Sequence, residues 1–191
     1  VLISRDNVKL EDLPKGAIVG TSSLRRAIQI YHANPGLKIK PINGNINTRM
    51  GKIDSREVDA ICIAAIGLQR INMFDKASQL FNYSEMVPAV AQGVLAVETR
   101  DNDREMKKLV SQINDPNTIR ATQAERTVLV ALGGGCQLPL GAHARVHGDQ
   151  ITIDGIYGRE DGSAMNRDQV TGHVDEAENL GKILVDKIGH F

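Results

Sequence analysis

The residues best equipped for chemistry fall in three polar turns and one glycine-rich loop. Thr21-Ser22-Ser23 is followed, after Leu24, by Arg25 and Arg26. Hydroxyls and main-chain N–H groups at a helix start make a ready anion site. Two guanidinium groups in that same first turn oppose the helix dipole unless an anion lies between them, so the pair reads as more than solvated surface. Arg49, in the first turns of a second helix, and Arg70, beyond a third strand, are candidates to converge on the same crevice. Arginine suits that task because its planar fork binds carboxylate or phosphate at two points. Each feature has a plainer alternative: a Thr-Ser-Ser turn also serves as an ordinary N-cap, and a lone arginine as a solvated side chain. Their recurrence at three successive strand ends favours the anion site. Neither a GxGxxG fingerprint nor a Walker A loop is present, so the expected anion is a polycarboxylate or small phosphate rather than a nucleotide.

Cys136 follows Gly133-Gly134-Gly135 and precedes Gln137-Leu138-Pro139. A tight loop of this kind can present a thiolate to a cleft, although a free cysteine also serves as a small buried hydrophobe. The second reading is the one expected for Cys62, inside an apolar strand. His143 is a candidate base for a Cys/His nucleophile, but its seven-residue separation from Cys136 gives no evidence of contact. His32, His147, His173 and His190 form no ligand spacing, and no metal site is expected.

These groups need elements to position them. A short apolar strand at 17–20, the polar turn 21–23 and a periodic helix at 24–32, with Leu24, Ala27, Ile28 and Tyr31 on one face, form a first unit. The pattern repeats as a strand at 37–42, a turn at 43–45 and a helix at 46–55. The run VDAICIAAI at 58–66 is apolar almost throughout, as in a central parallel strand covered on both faces, and 67–70 ends it. Three such units predict an α/β domain with a mainly parallel sheet, whose ligands bind at the carboxyl ends of the strands. Residues 94–99, VLAVET, read as another strand, and 103–113 as a helix. Asp115-Pro116 then starts a helix that runs to Leu132. Alternating runs at 142–146 and 151–157 about Gly148-Asp149 predict a hairpin, and Asp161-Gly162 leads to a third strand. A closing helix at 174–188 keeps Ala177, Leu180, Leu184 and Ile188 on one face. The last third is therefore a small α+β unit.

With 191 residues, 41% hydrophobic and 24% charged, the chain can bury a core and fits one or two domains. Basic and acidic residues balance at 23 each, which excludes an overall field for non-specific nucleic-acid binding. At 3% aromatic residues, with no Trp, a stacking platform for single strands is also excluded. The longest apolar stretch falls far short of a bilayer span, so no membrane partner is expected. Two distant cysteines outside any paired spacing fit a reducing, cytoplasmic location. The run VLISRDN enters a strand-like register at Val1, which fits a chain that begins inside a larger protein.

Taken together, GTSSLRR at 20–26, GNINTR at 44–49 with KID behind it, DAICIAAIGLQR at 59–70, PAVAQG at 88–93 and AERTVLVALGGGCQLPLG at 124–141 resemble the hydroxymethylbilane synthase, or porphobilinogen deaminase, family. Their order and spacing agree over essentially the whole chain. The resemblance implies a dipyrromethane cofactor held by a thioether to Cys136. It implies an enzyme that deaminates porphobilinogen to an electrophilic azafulvene, which the terminal pyrrole of the bound chain attacks. Four additions precede hydrolytic release of hydroxymethylbilane. Each ring brings an acetate and a propionate, so an arginine-lined cleft meets the accumulating charge. Matching positions assign cofactor binding to Ser23, Arg25, Arg26, Asn45, Arg49 and Gln92, and substrate binding to Arg25, Arg49 and Arg70.

The same resemblance implies three domains, two of them like type II periplasmic binding proteins. Residues 1–14 are then the hinge and end of a domain-one segment, 15–83 domain two, 84–114 the returning part of domain one, and 115–191 the α+β domain with the cofactor loop. The family's catalytic aspartate and further basic residues of the cleft precede Val1, and no acidic residue here takes that role. A monomer is expected. Two positions depart from the family pattern: Asn43 stands where an arginine is usual, with Lys40 as a candidate replacement, and Ala91 stands where glycine is usual. The competing reading is a non-catalytic small-anion-binding module of periplasmic-binding-like fold, with a Cys136/His143 transferase as a weaker third.

Overall fold

The computed structural model describes residues 1–135 and 138–191. In the first part, strands β1 (Leu2–Ser4), β2 (Ile18–Gly20), β3 (Lys38–Lys40) and β4 (Ala60–Cys62) form one sheet in the order β1-β4-β2-β3. The β4–β2 and β2–β3 pairs are parallel, while β1 runs antiparallel to β4. Helices α1 (Leu24–Ala33), α2 (Ile46–Asp54) and α3 (Ala65–Arg70) follow β2, β3 and β4 in turn. The apolar run through β4 is explained by its central place, because successive side chains enter opposite cores. Ala60 and Cys62 join Leu2, Leu10, Leu13, Val19 and Ile30 on one face. Ile61 and Ile63 join Ile3, Ile42, Ile53 and Leu68 on the other. Residues 1–14, expected as a hinge, thus supply an edge strand and two core leucines to this sheet.

Three local expectations are corrected. The strand expected at 58–66 stops at Cys62, and the residues expected to end it, with Ala65 and Ile66, form α3 instead. Its ladder partner β2 is already finished, with Gly20 opposite Ile61, so the chain beyond Ile63 satisfies its amides by turning helical. Gly67 lets α3 lie close to α2, since a Cβ there would stand 2.7 Å from Ile46 Cδ1. Residues 94–99 form no strand among the described residues, and Leu95 is 87% exposed; no second strand lies beside them to complete a ladder. On α1 the buried residues are Arg25, Ile28, Gln29 and Ile30, with Tyr31 exposed. A polar strap at 82–92 packs along this helix and selects its hydrogen-bonding side chains.

The second part holds α4 (Arg104–Val110), α5 (Pro116–Ala131), the antiparallel strands β5 (Leu140–His147), β6 (Gln150–Gly158) and β7 (Met165–His173), and α6 (Ala177–Ile188). The α5 start follows its sequence signal: the Asp115 carboxylate accepts from the Thr118 amide at 2.7 Å, and Pro116 occupies the first turn, where no amide partner is needed. Helices α5 and α6 bury Ala124, Val128, Leu180, Leu184 and Ile188 against β5 and β6. Each fully buried leucine or isoleucine contributes about 1.5–3 kcal/mol. Among the described residues no helix is long and apolar enough to cross a membrane.

Candidate functional site

The carboxyl ends of β2 and β4 open on a cleft of about 420 Å³ walled by Arg25, Arg26, Cys62, Tyr83, Pro88 and Gln92. The turn after β2 starts α1, the helix that carries Arg25 and Arg26 into that wall. The Thr21 amide donates to the Lys40 carbonyl at 3.0 Å, which fixes the turn against β3. The Ser22 hydroxyl donates to the Ile42 carbonyl and accepts from the Ile42 amide. Ser23 is the N-cap of α1, its hydroxyl accepting from the Arg26 amide at 3.4 Å. The turn thus plays the plain capping role, and the arginines of the helix it starts wall the cleft.

Arg25 is only 5% exposed. Its guanidinium donates to the Val87 carbonyl at 2.6 Å and to Gln92 Oε1 at 3.2 Å. One turn on, Gln29 brackets Val87: its side-chain amide donates to the Val87 carbonyl at 3.2 Å, and its oxygen accepts from the Val87 amide at 2.7 Å. Burial, with the Arg26 charge beside it, pulls the Arg25 guanidinium down to about 10, and no carboxylate among the described residues offsets that burial. Burial also pushes the Cys62 thiol up, which makes it an inert part of the wall and agrees with its expected role as a small hydrophobe.

The structure brings Ser23, Arg25, Arg26 and Gln92 together around the α1 start, and it sets Asn45 and Arg49 apart at the start of α2 and Arg70 at the end of α3. Asn45 caps α2, accepting from the Thr48 amide at 2.9 Å. Arg49 is half-buried and folds back to donate to the Gly44 carbonyl at 2.8 Å. Arg70 is exposed at the end of α3. Asn43 is exposed, with its side-chain oxygen 3.3 Å from the Ser22 hydroxyl. Lys40 does not stand in for an arginine at that position: it pairs with Glu57 at 3.1 Å, and Lys52 holds the other carboxylate oxygen at 2.8 Å. Cys136 lies outside the described residues. His143, its candidate base, stacks on Tyr83 with ring centroids 3.9 Å apart and has Nδ1 3.5 Å from Glu125 Oε1.

Sequence reasoning missed the residues that hold the strap. Beyond Gln29 and Tyr83, Arg167 of β7 donates to the Tyr83 and Ser84 carbonyls, and Gly141 of β5 lets the strap pass so close that a Cβ would lie 2.9 Å from the Pro88 carbonyl. Glu125 accepts from the Ala91 amide at 2.6 Å and from the Ala144 amide at 2.8 Å. The available signal was an acid between Ala124 and Val128 on the buried face of α5, and a glutamine four residues after Arg25 on α1.

Fold and site together define an α/β protein with an arginine-walled cleft at the carboxyl ends of a mainly parallel sheet, strapped to an antiparallel α+β unit. The family model for "Porphobilinogen deaminase, dipyromethane cofactor binding domain" matches residues 1–108, and that for "Porphobilinogen deaminase, C-terminal domain" matches 119–189. The chain belongs to the porphobilinogen deaminase family. Relatives bearing that name include proteins of Alkaliphilus metalliredigens (39% identical; 98% of this chain, 60% of the relative) and Geobacter metallireducens (40%; 98% and 58%). A third, from Oceanobacillus iheyensis, is 42% identical over 94% of this chain and 58% of its own length. The chain thus spans about 60% of the length of the curated relatives it matches.

Proposed function

We propose that this chain is the larger part of a hydroxymethylbilane synthase, which joins four porphobilinogen molecules into hydroxymethylbilane on a covalently held dipyrromethane. The observation that carries this reading is Arg25: a guanidinium buried at the cleft wall, next to Arg26, with no carboxylate near it among the described residues. A buried cation of this kind calls for an anion in the cleft. A dipyrromethane, with two carboxylates on each ring, fits that demand, and the absence of a nucleotide-binding loop argues for carboxylate over nucleotide.

In this reading Ser23, Arg25, Arg26 and Gln92 hold cofactor carboxylates, and Cys136 is the thioether attachment. When bound, the dipyrromethane would supply the pyrrole carbon to which the first ring is joined, each later ring being joined to the one before it. Arg25 binds carboxylate in two-point fashion and is kept in place by Val87 and Gln92; Asn45 and Arg49 also hold cofactor carboxylates, and Arg25, Arg49 and Arg70 serve incoming rings. Their preset charges favour the polyanion without reorganising as it grows. No acidic residue of this chain is assigned the proton-transfer role.

The domain reading follows from the family: 1–14 as the hinge and end of a domain-one segment, 15–83 as a type II periplasmic-binding-like domain two, 84–114 as a returning part of domain one, and 115–191 as domain three. Exposed Val94, Leu95 and Val97 support the returning segment, since an extended apolar run without a ladder partner is suited to a further strand beside it. We read the enzyme as a cytoplasmic monomer. The test is intact mass and peptide mapping of the full-length protein purified without denaturation. A dipyrromethane adduct on Cys136 is expected, and a clean free thiol there would sink the proposal in favour of a non-catalytic anion-binding module.

A further inference from the structure

Glu125 is 5% exposed, and its two carboxylate oxygens serve two different parts of the protein. One accepts from the Ala144 amide of β5, the edge strand of the antiparallel sheet, an amide that β6 does not use. The other accepts from the Ala91 amide at 2.6 Å. Ala91 sits in the left-handed region at φ +55°, which disfavours a residue with a Cβ, so the turn at 88–93 is held against its local preference. The next side chain along, Gln92, accepts on its Oε1 from both Arg25 and the Ala89 amide. A continuous line of hydrogen bonds therefore runs from a buried acid of α5, through a strained turn, to the guanidinium at the cleft wall.

We propose that Glu125 is a positioning residue for the cleft: it holds the Ala91 turn so that Gln92 and Arg25 keep the orientation in which they receive carboxylates. The inference rests on the function proposed above. A carboxylate suits this place because it accepts from both amides at once. Glutamine offers one oxygen and one NH₂ group, so one of the two amides then faces a donor. Losing a charge-assisted bond and leaving a buried amide unpaired weakens the turn by about tenfold or more in its open–closed equilibrium. The chemistry itself is untouched, since Glu125 is not among the residues that wall the cleft.

The test compares wild-type, Glu125→Gln, Ala91→Gly and the double variant in the full-length protein. Hydrogen exchange of the 88–93 peptide and steady-state consumption of porphobilinogen are measured for each. In Glu125→Gln, exchange at the Ala91 amide should rise at least tenfold and KM for porphobilinogen about tenfold, with kcat changing less than threefold. Glycine at 91 adopts the turn without strain, so Ala91→Gly should recover at least threefold of that KM in the double variant while changing the wild-type value little. A KM that stays put, a loss confined to kcat, or strictly additive effects overturns the proposal, because a merely structural acid would give one of those. If Glu125→Gln does not fold by circular dichroism, Glu125→Asp, which keeps both oxygens on a shorter arm, should shift exchange and KM in the same direction, and no shift overturns it. If the wild-type protein consumes no porphobilinogen, the proposed function fails, and exchange at Ala91 still decides whether Glu125 holds the turn.

Discussion

Replacing Arg25 with methionine separates what the guanidinium does for the fold from what it does for a ligand. Its fall to about 10 corresponds to a burial penalty of about 3 kcal/mol, taking about 1.4 kcal/mol per tenfold change in proton affinity. Against this stand two charge-assisted hydrogen bonds, to Val87 and Gln92, of about 1.5–3 kcal/mol each. In Arg25→Met both acceptors keep a partner, Val87 through the Gln29 side chain and Gln92 through the Ala89 amide. The net loss in the ligand-free protein is therefore about 0–3 kcal/mol, a fall in Tm of less than about 10 °C. A bound carboxylate that compensates the buried charge recovers the roughly 3 kcal/mol penalty, so its loss weakens binding by about 100-fold or more. The sign with pH follows: a cation whose folded pKa is lowered destabilises the fold wherever it is charged. The penalty is complete and constant below about pH 9, and stability is regained only as pH rises through about 10. Differential scanning fluorimetry of the full-length protein, with and without porphobilinogen, and equilibrium dialysis at pH 7 check both parts. Porphobilinogen affinity reduced less than tenfold, in a variant that melts within a few degrees of wild type, would refute the reasoning that Arg25 awaits an anion.

Asn43→Arg should tighten cofactor or substrate retention several-fold, on the order of 1 kcal/mol for an exposed guanidinium, and unchanged affinity and turnover would remove position 43 from the site. Gly141→Ala puts a Cβ 2.9 Å from the Pro88 carbonyl, so it should destabilise the protein by about 1–3 kcal/mol in thermal melts; an unchanged Tm would mean the strap is not held against β5. The raised pKa of Cys62 means that its thiol favours the folded protein below its ordinary value near 9 and that this preference fades as pH rises beyond it. Iodoacetamide mapping at pH 8 should therefore leave Cys62 unlabelled until denaturant is added, and rapid labelling of the folded protein would contradict its burial.

The features legible in the sequence are the local ones. Ser23 and Asp115 announce helix starts because a cap is a contact within four residues. The central place of β4 follows from its unbroken apolar run and the buried face of α6 from its period, and the GTSSLRR and GGGCQLPLG runs identify the family because their order is itself sequence. The errors occur where a distant partner decides. Leu24, Ala27, Ile28 and Tyr31 were expected as the packed face of α1, yet a strap about sixty residues away offers the Val87 carbonyl and amide and draws Arg25 and Gln29 inward. Residues 94–99 have the pattern of a strand, but a ladder needs a second chain, and none lies beside them among the described residues.

By itself, the sequence determined an α/β unit followed by an α+β unit, the family, and the arginine-bearing turns, all written in contiguous runs. Tertiary structure alone decided which of those arginines is buried with no counter-charge among the described residues and which are set apart on α2 and α3. It also decided that Glu125 and Gln29, silent in any motif, fasten the strap beside the cleft. The reason is physical: desolvation and hydrogen-bond satisfaction depend on what lies within a few ångströms, and for these side chains the decisive neighbours lie 19 to 67 residues away along the chain.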